Sequence, residues 1–224
     1  MSDAPMRVSF TTELEQLRLQ VELMAIRVDQ NLERMRLLLV EGDLSIAEDA
    51  YRADDEIDAM NVSLTERCYD LLRREAPVAS DLRFIVSVLR ILSELERIGD
   101  LALRVIKLGP ERHFIVSNPP TYDILVAMAS QVIEDFRDAV RAWATLSLDL
   151  AASLALRVRP MDLYYERLMA EVLRLESPDA VPVAVSTFAA GRALERISDH
   201  AAIIGARLRY LITGDRDHLT SEVR

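Results

Sequence analysis

Apolar residues recur at three- and four-residue steps along nearly the whole chain. Between Leu14 and Leu39 the residues Leu14, Leu17, Val21, Met24, Val28, Leu32 and Met35 form one stripe, with Arg and Glu on the other faces. This predicts a long amphipathic helix. Glu41-Gly42-Asp43 predicts its stop and the next start, since glycine closes a helix and aspartate opens one. A second helix is expected from about Leu44 to Arg74. Pro77 disfavours helix at Ala76, and Ser80 or Asp81 is placed to cap a third helix, from Ala79 to Leu108. No alternating Val/Ile/Thr-rich run of strand character occurs.

The strongest break is "LGPERHFIVSNPPTY", with three prolines, Gly109 and Asn118. Beyond it the plan repeats: helices are expected from Tyr122 to Leu146, from Leu148 to Leu175 and from Val181 to Thr213. The reading is all-α, two tandem three-helix bundles related by an internal pseudo-repeat. Residues 1–108 are the first, 109–120 a linker, 121–214 the second and 215–224 a polar, mobile tail. Gly191 and Gly205 stand close to four turns apart among alanines and predict a face where another helix packs closely. A helix of this chain or of a second copy, as in a homodimer, would serve.

The repeat carries a polar signature. "ELERIGDL" at Glu94–Leu101 returns as "ALERISDH" at Ala193–His200, each after a Pro-containing break. Four residues advance a helix by about 400°, so Glu96 and Asp100 face one way, about 6 Å apart along the axis. Glu195 with Asp199, and Asp54 with Asp58, share that geometry. Like charges at this spacing cost about 0.2–0.5 kcal/mol per pair, so a compensator is expected. Water and the nearby Arg97, Arg104, Arg196 and Arg207 supply one, as on any solvated face. The recurrence, the apolar flanks and the small residues Gly99 and Ser198 point to another: a helix packed close by, and a cation among four carboxylates, Asp54, Asp58, Glu96 and Asp100. Oxygen-only ligands favour magnesium, calcium, manganese or iron over a thiolate-imidazole zinc site. His200 points about 100° away from Asp199 and is read as the partner of a neighbouring group rather than as a ligand.

The order of "DDEIDAM", "PVASDLRF", "ELERIGDLA", "ALERISDHA" and "LRYLITGD" resembles the PhoU family of phosphate-signalling proteins, from Arg7 to about Gly214. The resemblance implies the paired three-helix fold and metal ions, including multinuclear iron or zinc clusters, on the acidic pairs. By resemblance those pairs are Asp54 with Asp58, Glu96 with Asp100, and Glu195 with Asp199. Beside Asp162 the partner acid is replaced by Val158, and Pro160 falls inside the expected helix, where it would remove a hydrogen bond and kink or interrupt the chain. The second site would hold fewer ions or recruit Glu166, and the first half is the fuller site. The resemblance further implies a negative regulator of the phosphate starvation response, not an enzyme, that couples the ATPase of an ABC-type phosphate transporter to a sensor histidine kinase at the inner membrane face.

Charge narrows the field. The 224 residues carry a net charge of −10, which repels nucleic-acid backbones. The longest weakly polar run, "AVPVAVSTFAAG", is broken by Pro182 and is far short of the roughly 20 residues that cross a bilayer, so no membrane insertion is expected. A single cysteine, Cys68, and no basic-then-apolar start predict a cytoplasmic chain. Two other classes compete. A di-iron enzyme needs Glu-x-x-His pairs, and Pro110, Ile197 and Asp215 precede the three histidines instead; nor is there a Gly-rich phosphate loop. A metal-free helical scaffold predicts the same fold. Cys68, Trp143 and the methionines are read as core.

Overall fold

The helical stripes are buried as their spacing predicts. The computed structural model describes residues 3–75 and 77–222; Ala76, where Pro77 was expected to disfavour helix, and the last two tail residues lie outside them. Seven α-helices follow in order: α1 (Asp3–Glu41), α2 (Ile46–Glu75), α3 (Ala79–Ile106), α4 (Arg112–Val116), α5 (Pro119–Thr145), α6 (Leu148–Val172) and α7 (Ala180–Thr213). No strand occurs among the described residues. The α1 stripe from Leu17 to Met35 is buried throughout, and Leu14 packs at its edge.

Helices α1–α3 form one three-helix set and α5–α7 the other, and the sets lie against each other through α1 with α5 and α3 with α7. One apolar core runs through both. Across α1 and α5, Arg137 pairs with Asp29 at 2.8 Å, and the Trp143 indole N–H donates to the Arg18 carbonyl at 3.4 Å. Trp143 also stacks on Phe84, with ring centroids 5.9 Å apart, and is core as expected.

The caps show why the helices end where they do. Gly42 adopts φ +77° and donates to the Leu38 carbonyl, closing α1. Asn118 accepts from the Thr121 N–H and opens α5, while Ser147 accepts from Leu150 and opens α6. Pro119 and Pro120, read as part of a break, instead start α5. Proline is tolerated in a first turn because the N–H it lacks has no intrahelical partner there. Helix α3 is capped differently from expectation: it opens at Ala79 after Val78, without a side-chain cap, and Asp81 sits in its first turn.

Residues 109–120 are also more ordered than a linker. A 3-10 turn at Gly109–Glu111 leads into α4, and Arg112 donates to the Leu39 and Val40 carbonyls at 2.9 and 2.6 Å. Those carbonyls end α1, so the guanidinium satisfies acceptors that the helix leaves open. Arg216–Glu222, expected to be mobile, winds into a 3-10 helix against α7. Helix α6 runs unbroken through Pro160. The carbonyl freed by that proline belongs to Leu156, which is 77% exposed, and water can take its place as donor.

Both predicted glycine contacts are filled within the chain. A Cβ on Gly205 would stand 2.8 Å from the Ala151 carbonyl of α6, and one on Gly191 would meet Leu168 of α6 at 2.3 Å. This face is closed by α6, leaving no room for a second copy.

Candidate functional site

Two acidic faces and the groove between them carry the chemistry. In the first half, Asp54 and Asp58 on α2 come alongside Glu96 and Asp100 on α3. Asp54 is 9% exposed, with Oδ1 over Gly99, whose missing Cβ would lie 3.5 Å away. That is ordinary contact, so the glycine leaves room without being obligatory. Burial, then repulsion from Asp58 and Asp100, pushes the Asp54 carboxyl up to about 6; Lys107 offsets part of this. Glu96, half-buried, is raised by desolvation and by Asp100 and Asp58, and Asp58 by desolvation and by Asp100 and Asp55. Four carboxylates therefore share one face, and their repulsion opposes the ionisation of Asp54, Asp58 and Glu96.

The second half is weaker in the same place. Glu195 is raised by burial and by Asp199 and Asp162, so these three stand together. The Arg192 guanidinium already pairs with Glu195 and pulls the other way. Val158, in place of an acid, lines a cavity with Asp199. Glu166 does not join the group: it is exposed and pairs with Arg159 at 3.3 Å.

The donor set is oxygen only. Among the described residues no three His, Cys, Asp or Glu side chains converge on a single ion position. What the first face offers is paired carboxylates across two helices, which suits a hydrated cation whose remaining ligands are water, rather than a closed cage. Asp58 is exposed and Glu96 and Asp100 are half-buried, so this is a surface site and not the interior of a bundle.

A pH dependence follows from Asp54. Its folded pKa lies above the ordinary 3.8, so protonation favours the folded state. That contribution is full below the ordinary value and is lost as the pH rises through about 6. In chelator-treated protein, going from pH 7 to pH 5 adds about 1 kcal/mol from this group, or about 2–4 °C in Tm. Asp54→Asn should raise Tm at pH 7 and flatten the pH 5 to pH 7 difference. Thermal melts by circular dichroism measure both, and an unchanged difference in the variant would contradict the assignment.

Between the faces, α3 and α7 run antiparallel. The buried Glu94 carboxylate meets His200 Nδ1 at 2.5 Å, and Arg83 Nε donates to the Leu211 carbonyl at 3.0 Å, equal steps in opposite directions along the two helices. Arg90 closes on Glu94 from the other side at 3.0 Å. His200 is thus the partner of a neighbouring group, as its position suggested. Glu94 escaped the sequence reading, although the signal was present: it continues the stripe of Ile91, Ile98 and Leu101, a carboxylate at a core position. A second buried network holds α5 to α6 and α7. Arg157 bonds both Asp135, at 2.9 Å, and Asp138, while Gln131 and Ser198 donate to Asp135. Ser198 occupies the place of Gly99 in the repeat, but its hydroxyl turns to α5.

Cys68 is fully buried, and burial pushes its thiol up to about 12, so it remains a protonated core side chain. No helix among the described residues is long and apolar enough to cross a membrane.

Comparison with known proteins agrees with this architecture. The PhoU domain family model matches residues 21–108 and 125–208, once in each half. The chain is 32% identical over 207 residues to the phosphate-specific transport system accessory protein PhoU homolog of Pseudomonas putida, covering 92% of this chain and 81% of that protein. It is 27% identical to the Escherichia coli accessory protein PhoU, covering 92% and 86%. The crystal structure of PhoU from Pseudomonas aeruginosa superposes with a TM-score of 0.86 at 31% identity, over 92% of this chain and all of that one. The phosphate transport system regulatory protein PhoU from Streptococcus pneumoniae gives 0.82 at 27% identity, over 92% and 98%. With both of its halves matched and its paired three-helix architecture shared, this chain is a member of the PhoU family.

Proposed function

We propose that this chain is an accessory regulator of phosphate uptake that works from the cytoplasm. It acts negatively on the phosphate starvation response, coupling an ABC-type phosphate transporter to a sensor histidine kinase at the inner face of the membrane. Family membership across both halves supports the transport role, since the relatives are named as accessory proteins of the phosphate-specific transport system. The net charge of −10 suits attachment through protein partners rather than anionic lipid. Deleting the gene should derepress a phosphate-starvation reporter in phosphate-replete cells, and the wild-type chain should restore repression. Unchanged reporter output would refute the regulatory reading.

The metal reading rests on one observation, the face shared by Asp54, Asp58, Glu96 and Asp100, on which burial and neighbouring carboxylates raise the pKa of Asp54, Asp58 and Glu96. A metal ion there, iron, zinc, manganese or magnesium, would supply fixed positive charge and make the charge of this surface depend on occupancy. Asp162, Glu195 and Asp199 would hold a lesser second site. Elemental analysis of protein gel-filtered in chelator-free buffer should find more than one metal ion per chain, largely lost in Glu96→Ala/Asp100→Ala. The same variant carries the rival reading. No three donors converge among the described residues, which favours a metal-free scaffold whose acidic faces are solvated or meet a basic partner. Metal-free wild type would sink the metal reading and leave that scaffold.

A further inference from the structure

The groove between α3 and α7 reverses the charge of the molecule. In a chain of net charge −10, Arg90, Arg97, Arg196 and Arg209 line one cavity of about 180 Å³, with His200 beside them and Asp199 the only acid on its wall among the described residues. Arg97 and Arg196 are the same residue of the duplicated segment, brought level by the antiparallel register of α3 and α7. Both arginines and His200 also line a neighbouring cavity of about 320 Å³, where Arg104 joins them and Glu96 and Asp100 form the acidic rim. Arg90 is partly neutralised by Glu94 behind it.

Like charges gathered in this way repel one another, and two features show that the groove is not merely a screened surface. Arg209 Nε is buried and has no hydrogen-bond partner among the described residues, so a strong donor is withheld from water with no acceptor opposite it. The groove also has an apolar back wall, Ala155, Val158 and Ile203, which lowers the local dielectric and strengthens the attraction of any anion that enters. Guanidinium forks approaching from two helices match the several oxygens of a tetrahedral oxyanion better than the two of a carboxylate. The smaller cavity has the volume of roughly six water molecules, ample for one such group.

We propose that this groove is a binding site for a phosphoryl anion, free orthophosphate or the phosphate of a small nucleotide, held by Arg97 and Arg196 with Arg209 adding positive charge on the wall. Asp199 shares the wall, and Glu96 and Asp100 rim the adjoining cavity, so an anion here touches residues of both acidic faces. Resting on the proposed regulatory function, the site would set the ligand between the two acidic faces. Anion binding itself needs neither metal nor a partner.

The test is titration calorimetry and thermal unfolding of the chelator-treated full chain with sodium phosphate, AMP or ATP, at ionic strength matched with chloride. Phosphate or a nucleotide should raise the melting temperature with dose. Arg97→Gln/Arg196→Gln, both exposed side chains, should weaken binding about tenfold or more, and Arg209→Gln should weaken it independently. A response to orthophosphate alone identifies the free ion as ligand; a stronger response to AMP or ATP identifies a nucleotide. No response to any of the three overturns the proposal. So does binding that is unchanged in both variants, or binding found in untreated protein but absent from the chelator-treated chain, which would place the anion on a metal ion instead.

Discussion

Replacing Glu94 by alanine should cost about 3–5 kcal/mol of folding stability, which lowers Tm by roughly 6–20 °C in a chain of this size. Glu94 is fully buried at the meeting of α3 and α7, accepting from His200 at 2.5 Å and ion-paired with Arg90 at 3.0 Å. His200 is 4% exposed, so water cannot replace the lost carboxylate without opening the helix pair. The cost of such a truncation is mainly that of a polar group left buried and unsatisfied, not the net value of the pair. Glu94→Gln keeps the volume and one acceptor oxygen and should lose distinctly less. Urea denaturation of the three proteins orders them. A loss below about 1 kcal/mol for Glu94→Ala would show that His200 is rehydrated and that the bridge does not tie the halves together.

Arg157→Leu should cost about 3 kcal/mol or more by the same physics, in the other half. Its guanidinium bonds Asp135 and Asp138, which are 1% and 4% exposed. Removing it leaves two carboxylates buried. Asp135 keeps Gln131 and Ser198, and Asp138 keeps Arg141, so the loss is below the sum of two orphaned charges. Arg157→Lys preserves the charge but not the fork that reaches both acids, and should fall between. If Arg157→Lys and Arg157→Leu were equally destabilised, geometry and not charge would be the contribution of this side chain. If neither lost stability, the network would be a solvated one.

The long helices were legible because burial imposes a period. Leu17, Val21, Met24, Val28, Leu32 and Met35 occur where a helix against a core must place them. Prolines were the weaker guide. Pro119 and Pro120 open α5 instead of breaking it, and Pro160 is passed over because the acceptor it frees belongs to the exposed Leu156, where water can reach it. Helix α4 is short and is tied down by Arg112 reaching the end of α1, a long-range contact that no local pattern records. The acidic pairs were readable from i, i+4 spacing, and the structure brings Asp54, Asp58, Glu96 and Asp100 onto one face. The basic groove was not readable. Arg97 and Arg196 looked like screens for adjacent carboxylates, and only the antiparallel register of α3 and α7 shows that they stand together. Arg157 likewise has no local signal, because its partners lie on another helix.

The bridge between Glu94 and His200 also bears on how two copies of one unit came to live in one chain. In the repeat, the counterpart of His200 is Leu101, and that of Glu94 is Ala193. Two copies of the first half associating through α3 would set each Glu94 against a leucine, burying two carboxylates with no proton donor opposite. The duplicated helices have therefore become complementary rather than interchangeable: each half is a poor mate for itself and a good one for its sibling. Expressed separately, the halves should prefer to reassemble as a mixed pair over either self-pair.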